Sequence, residues 1–88
     1  ASNNMRYRIV IPKRIQKKLD NIERIYRDRI TAALAGLEEE PYRGKKLSGN
    51  RRGEWSYRVW PFRIVYQINS RELVILIINI GNRRDVYR

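Results

Sequence analysis

Residues 55–80 read WSYRVWPFRIVYQINSRELVILIINI, and this stretch carries three strand signals. Trp55–Trp60 alternates apolar and polar side chains, and Phe62–Ile68 alternates more strictly. Leu73–Ile80 is almost wholly apolar, as a strand covered on both faces should be. Asn69-Ser70-Arg71-Glu72 separates the last two runs with turn-forming residues. Upstream, residues 6–11 (Arg6 to Ile11) alternate before ending all apolar, which predicts a further strand. Pro12 suits the first turn of a helix, where its missing N–H costs nothing, and Ile15, Leu19 and Ile22 continue that helix face. Asp20 with Glu23 three residues later fits an N-cap pair for a second helix. Its apolar stripe is Ile22, Ile25, Tyr26, Ile30, Ala33, Leu34 and Leu37, at i, i+3, i+4 spacing. Glu38-Glu39-Glu40 and Pro41 end it, with the acidic run at the unfavourable pole of the helix dipole. Residues 42–53 contain Gly44, Gly49 and Gly53 and read as a basic loop without helix or strand. Gly81 to Arg88 reads as a polar tail. The predicted order is β-α-α-β-β-β, an α+β fold with two helices packed on one face of a small, mostly antiparallel sheet. The opposite face is then free to meet a ligand. Residues 1–4 fit no element and read as a cloning remnant before Met5, with residues 5–88 forming one domain.

Composition narrows the chemistry. The chain of 88 residues has no Cys, which excludes disulfide scaffolds and thiol catalysis, and no His, the commonest metal ligand and neutral-pH base. No metal and no cofactor are expected. No apolar run of 18 residues and no signal-peptide segment is present, so a cytoplasmic protein with no membrane partner is the expectation. The net charge is +11, from 20 basic and nine acidic residues, and it is uneven. Residues 20–40 are net −3, whereas residues 41–88 are net +8 and residues 1–19 are net +6. Fifteen of the basic residues are Arg, whose planar fork grips phosphate at two points. Nucleic acid is the partner class this charge predicts.

Strand pairing predicts where the arginines meet. A turn at Trp60-Pro61 places Val59 opposite Phe62 and Arg58 opposite Arg63 on one sheet face. Like charges so placed destabilise a hairpin unless solvent or an anion separates them. Pro61 in the second turn position requires a cis bond or a wider loop. A second turn centred on Ser70-Arg71 puts Arg63 opposite Ile78 and brings Arg83 from the tail towards Arg58 and Arg63. Tyr87, four residues on, reaches the same place. Lys45, Lys46, Arg51 and Arg52 of the basic loop suit backbone-phosphate contacts. The face formed by Lys13, Arg14, Lys17 and Lys18 is a second basic surface suited to nucleic acid.

These residues resemble the RelE family of bacterial toxins, within the RelE/ParE superfamily, from Met5 to Arg88. The likeness is carried by Tyr7-Arg8-Ile9-Val10-Ile11-Pro12, Lys45-Lys46-Leu47-Ser48-Gly49, Tyr57-Arg58-Val59, Phe62-Arg63-Ile64-Val65-Tyr66 and Ile80-Gly81-Asn82-Arg83-Arg84-Asp85-Val86-Tyr87-Arg88. The resemblance implies a toxin of a type II toxin–antitoxin system. Such a toxin is a ribosome-dependent, metal-independent endoribonuclease that cuts the mRNA codon in the A site, neutralised by a cognate antitoxin. The 2′-hydroxyl attacks the adjacent phosphate and leaves a cyclic phosphate and a free 5′-hydroxyl. The resemblance maps the catalytic roles onto Arg58, Arg63, Arg83 and Tyr87, while the positive charge of Lys13, Lys17, Lys45, Lys46, Arg51, Arg52 and Arg84 suits RNA contact. Two positions depart from the family pattern. Ser56 stands where relatives often carry a basic residue, and Asn82 where many carry His.

The residue types suit phosphoryl transfer, which needs positioning and charge stabilisation more than covalent help. Arg58 and Arg63 suit the non-bridging oxygens, and Arg83 the scissile phosphate or the leaving 5′-oxygen. Arg is a poor base. Proton transfer therefore falls to Tyr87, Glu54, Asp85, or groups of ribosomal RNA and substrate. Two other functions stay open. One is a ParE-like inhibitor of DNA gyrase without nuclease activity. The other is a non-catalytic RNA-binding module that uses Trp55, Tyr57 and Trp60 to stack bases.

Overall fold

The computed structural model describes residues 6–82. Strand β1 (Arg8–Val10) leads into helices α1 (Lys13–Asp20) and α2 (Arg24–Glu39). Strands β2 (Lys45–Lys46), β3 (Trp55–Val59), β4 (Phe62–Asn69) and β5 (Val74–Asn82) complete one five-stranded sheet, ordered β1-β5-β4-β3-β2. All neighbours are antiparallel except β1 and β5. This is the predicted α+β architecture.

One apolar cluster joins helices and sheet. Ile15 and Leu19 of α1 and Ile30, Leu34 and Leu37 of α2 meet Ile64, Tyr66, Ile75, Ile77 and Ile80 of the sheet. Burying each such aliphatic side chain stabilises the fold by about 1.5–3 kcal/mol before chain entropy is counted. The α2 stripe is narrower than its spacing predicted, since Ile25 is exposed. The expected Asp20–Glu23 capping pair does not form. Asp20 still belongs to α1, where Gln16 Nε2 donates to its carboxylate at 2.9 Å. Glu23 makes no side-chain cap on α2. The acidic end of α2 is met by cations instead: Arg6 pairs with Glu38 at 3.8 Å and Glu39 at 3.0 Å, and Arg43 with Glu40 at 2.8 Å.

The β3–β4 hairpin has the predicted register, Val59 opposite Phe62 and Arg58 opposite Arg63, with a cis Trp60-Pro61 peptide in the turn. The β4–β5 register differs. Arg63 faces Gly81, not Ile78. The connection spans Ser70 to Leu73, with Asn69 opposite Val74 and Leu73 at φ 57°. Asn69 Oδ1 accepts from the backbone N–H groups of Arg71 (3.1 Å) and Glu72 (3.0 Å), so the side chain builds the turn. Further along, Val65 faces Asn79 and Tyr66 faces Ile77, which leaves Ile78 as an extra, unpaired residue. A longer turn and this bulge together account for the three-residue displacement, and Gly81 and Asn82 are strand rather than tail. The basic loop also contains a strand that was not predicted. Lys45 and Lys46 pair with Ser56 and Trp55 at the otherwise unpaired edge of β3, closed by Leu47 N–H donating to Glu54 O at 2.9 Å.

Candidate nucleic-acid interface

The pairing fixes which side chains share a face, because partners across a ladder and residues two apart on a strand point the same way. Tyr57, Ile64 and Tyr66 face the helices. Lys45, Ser56, Arg58 and Arg63 therefore occupy the opposite face, whose middle at Ser56 and Val65 is buried while Lys45 and Arg58 at its edge are exposed. Lys45 sits opposite Ser56, and Arg58 sits opposite Arg63 one pair further along. Arg58 is exposed and Arg63 half-buried. Arg63 Nη1 donates to the Ser56 hydroxyl at 3.3 Å, and Ser56 is itself buried. Ser56 thus does not merely delete a charge; it supplies an acceptor that orients a neighbouring guanidinium.

Among the described residues, carboxylates hold Arg6, Arg24, Arg43 and Arg51, and none reaches Arg58 or Arg63. Two guanidiniums facing each other on a sheet repel, and an anion between them removes that cost. Phosphate suits both the charge and the forked donor geometry.

Other residues singled out from the sequence are placed as follows. Lys46 pairs with Trp55, so alternation puts it on the face away from Lys45. Arg51 is tied to Glu54 at 3.1 Å, with 29% and 18% of the two side chains exposed. This engages Glu54, one of the proton-transfer candidates. Arg52 is exposed beside the turn Gly49–Arg51. Lys13 and Lys17 are exposed on α1 and line a shallow groove with Arg14, Gln16 and Asp20 that includes neither sheet arginine. Lys18 reaches β5, where its Nζ donates to Asn79 Oδ1 at 2.9 Å. Arg83, Arg84, Asp85 and Tyr87 lie outside the described residues. The sequence reading missed the Ser56–Arg63 contact, although the two-residue spacing of Ser56 and Arg58 would have placed the hydroxyl on the arginine face.

A buried tyrosine holds the edge of this surface. Tyr66 Oη donates to Pro41 O at 2.8 Å. Burial pushes its pKa up to about 12, against a smaller lowering by the Gly44 backbone N–H. A Cβ on Gly44 would overlap that hydroxyl and lie 2.8 Å from Ser56 O, so only glycine allows β2 to start here. Tyr7 is also raised, first by burial and then by its hydrogen bond with Tyr42. Among the described residues no group of three His, Cys, Asp or Glu is placed to hold a metal ion, and no helix is long and apolar enough to cross a membrane.

A small sheet backed by two helices on one face, with facing arginines on the other, is a RelE-like fold. The chain belongs to the ParE toxin family of type II toxin–antitoxin systems (parDE), matched over residues 9–87, within the RelE/ParE superfamily. Toxin RelG of Mycobacterium tuberculosis is 33% identical over 57 residues, which are 64% of this chain and 66%, just under two thirds, of that relative. The archaeal RelE–RelB complex of Pyrococcus horikoshii contains a similar chain, with TM-score 0.79 and 27% identity over 93% of this chain and 100% of that one. The RelBE2 toxin–antitoxin complex of M. tuberculosis gives a TM-score of 0.80 at 22% identity, covering 89% of this chain and 99% of that one. The isolated RelE toxin of E. coli gives 0.73 at 19% identity, covering 86% and 83%. These last two likenesses show the shared fold.

Proposed function

We propose that this chain is a cytoplasmic, ribosome-dependent mRNA endoribonuclease that inhibits translation by cutting the A-site codon, and that a cognate antitoxin neutralises it. The observation that carries the reading is the facing pair Arg58–Arg63 on the sheet face away from the helices, which no carboxylate of the described residues reaches, with Lys45 beside it. Supporting it, similar structures are described as a toxin–antitoxin complex, as an isolated RelE toxin and as a RelE–RelB complex.

In this reading the substrate's own 2′-hydroxyl forms a bond to the adjacent phosphorus, and the bond from phosphorus to the 5′-oxygen breaks. The products are a 2′,3′-cyclic phosphate and a 5′-hydroxyl. One proton leaves the 2′-oxygen and one arrives at the 5′-oxygen. Arg58 and Arg63 bind the non-bridging oxygens, whose charge grows in the transition state. Ser56 fixes Arg63 before substrate arrives, so the reorganisation needed at the moment of reaction is small. Arg83 steadies the scissile phosphate or leaving oxygen. Tyr87, with groups of the ribosome, handles protons or stacks on a base. Lys45, Lys46 and Arg52 contact the RNA backbone, with Arg51 and Arg84, while Lys13 and Lys17 contact ribosomal RNA. No bound metal or cofactor is required by these steps.

The test is a reconstituted ribosome paused with a defined codon in the A site. Primer extension should find a cut within that codon, slowed about 10²–10³-fold in Arg58→Ala or Arg63→Ala, the usual cost of one positioned donor. The family match to ParE favours one second reading, a gyrase inhibitor. Intact mRNA together with arrested DNA supercoiling would establish it instead.

A further inference from the structure

Three aromatic residues flank the arginine strand, and the structure separates them. Trp55 and Tyr57 are half-buried and pack against the core, Trp55 also edge-on to Tyr42 with ring centroids 5.3 Å apart. Trp60 is 69% exposed, more than any other large apolar side chain among the described residues. It stands in the turn that joins the strand of Arg58 to the strand of Arg63. Arg58, Trp60, Pro61, Phe62 and Arg63 line one concavity of about 50 Å³. That space is too small to enclose a nucleobase, so a ligand there must lie against the indole from outside. Phe62, the other aromatic of the turn, is fixed edge-on to Tyr26 at 5.7 Å and belongs to the core side.

An indole held in water beside two guanidiniums unites the two elements of single-strand recognition, a ring for the base and cations for the phosphate. Arg58 and Arg63, which no carboxylate of the described residues reaches, call for an anion, and single-stranded RNA offers a phosphate for them together with a base for the adjacent ring. We propose that Trp60 is the stacking platform for one unpaired base of the single-stranded RNA whose phosphate lies between Arg58 and Arg63. This rests on the reading of the arginine pair as a phosphate clamp, and it adds which base-contacting side chain this chain uses.

The experiment is a low-salt fluorescence titration, to millimolar concentration, with a short RNA carrying a 2′-deoxy residue at the scissile position so that it cannot be cut. A second oligomer is abasic at the nucleotide next to that position. The base-bearing oligomer should quench indole emission in the unmodified protein but not in Trp60→Phe, whose remaining indole, Trp55, is half-buried against the core on the helix-covered face. Trp60→Ala should weaken its binding about 5- to 150-fold, the range for losing one stacked base. The abasic oligomer should bind both proteins alike, and Arg58→Ala should weaken both oligomers. A thermal melt confirms that the turn variants are folded. Unchanged affinity in Trp60→Ala overturns the inference, as does the absence of any Trp60 quench. If Arg58→Ala matters and Trp60→Ala does not, only the stacking role fails. If neither matters, the phosphate clamp fails too. Loss of antitoxin binding in Trp60→Ala with RNA affinity intact would make the indole a protein contact and overturn the inference.

Discussion

Replacing Tyr66 with Phe removes one oxygen from the interior and should loosen the edge of the arginine face. The ring is fully buried in β4, and its hydroxyl donates to Pro41 O at 2.8 Å. Without it, that carbonyl and the Gly44 N–H lose their partner in a dry environment, which costs about 1–3 kcal/mol. For a domain of this size each kcal/mol corresponds to about 4–8 °C in Tm. The pH dependence supplies an independent signature. Burial raises the Tyr66 pKa from 10.0 to about 12. Between those values the unfolded chain sheds its proton while the folded protein keeps it. The contribution is therefore complete below pH 10 and declines as pH rises towards 12, by about 3 kcal/mol in all at 1.36 kcal/mol per pKa unit. Urea unfolding at intervals from pH 8 to 11.5 should show this alkaline decline in the unmodified protein and a shallower one in Tyr66→Phe. Some decline should persist, because burial and Tyr42 also raise Tyr7. A variant as stable as the parent at pH 8, with an unchanged alkaline slope, would refute the assignment of Tyr66 as the pin that holds Pro41–Gly44.

Three further outcomes follow from the same geometry. Gly44→Ala should destabilise by about 1–3 kcal/mol in urea unfolding, because its Cβ would meet Tyr66 and the Ser56 backbone; a neutral result would mean β2 can shift freely. Ser56→Ala should slow cleavage on the ribosome about 2- to 12-fold, the value of one modest hydrogen bond, with Ser56→Thr recovering part of the rate. The double variant Lys13→Ala, Lys17→Ala should flatten the salt dependence of ribosome binding, lowering the log–log slope by about 1.5–2 if each lysine neutralises one phosphate.

Much of the fold was legible because its signals are local. The alternation of Tyr57–Val59 and Phe62–Tyr66 around Trp60-Pro61 fixed the arginine hairpin to the residue. The α2 stripe identified Ile30, Leu34 and Leu37 as core. Other features depend on what lies elsewhere in the molecule. Lys45–Lys46 has no apolar pattern and becomes a strand only because β3 offers an unpaired edge. The β5 run is apolar on both faces, so a slip by one residue leaves no trace in the pattern, and neither the Asn69-capped turn nor the Ile78 bulge can be read from it. Ile25 continues the helical spacing but falls beyond the width of surface the sheet covers. Ser56 looked like a lost cation because its role depends on reaching a side chain seven positions away.

The central claim is that Arg58 and Arg63 act as a unit on a single phosphate. A double-mutant cycle in single-turnover cleavage of ribosome-bound mRNA tests it most directly. Each alanine variant should lose about 10²–10³ in rate, and the pair should lose barely more than the worse single variant, because side chains that serve one group are strongly non-additive. Losses that multiply, to about 10⁴–10⁶, would mean the two guanidiniums serve separate groups, and full activity in both single variants would remove the site altogether.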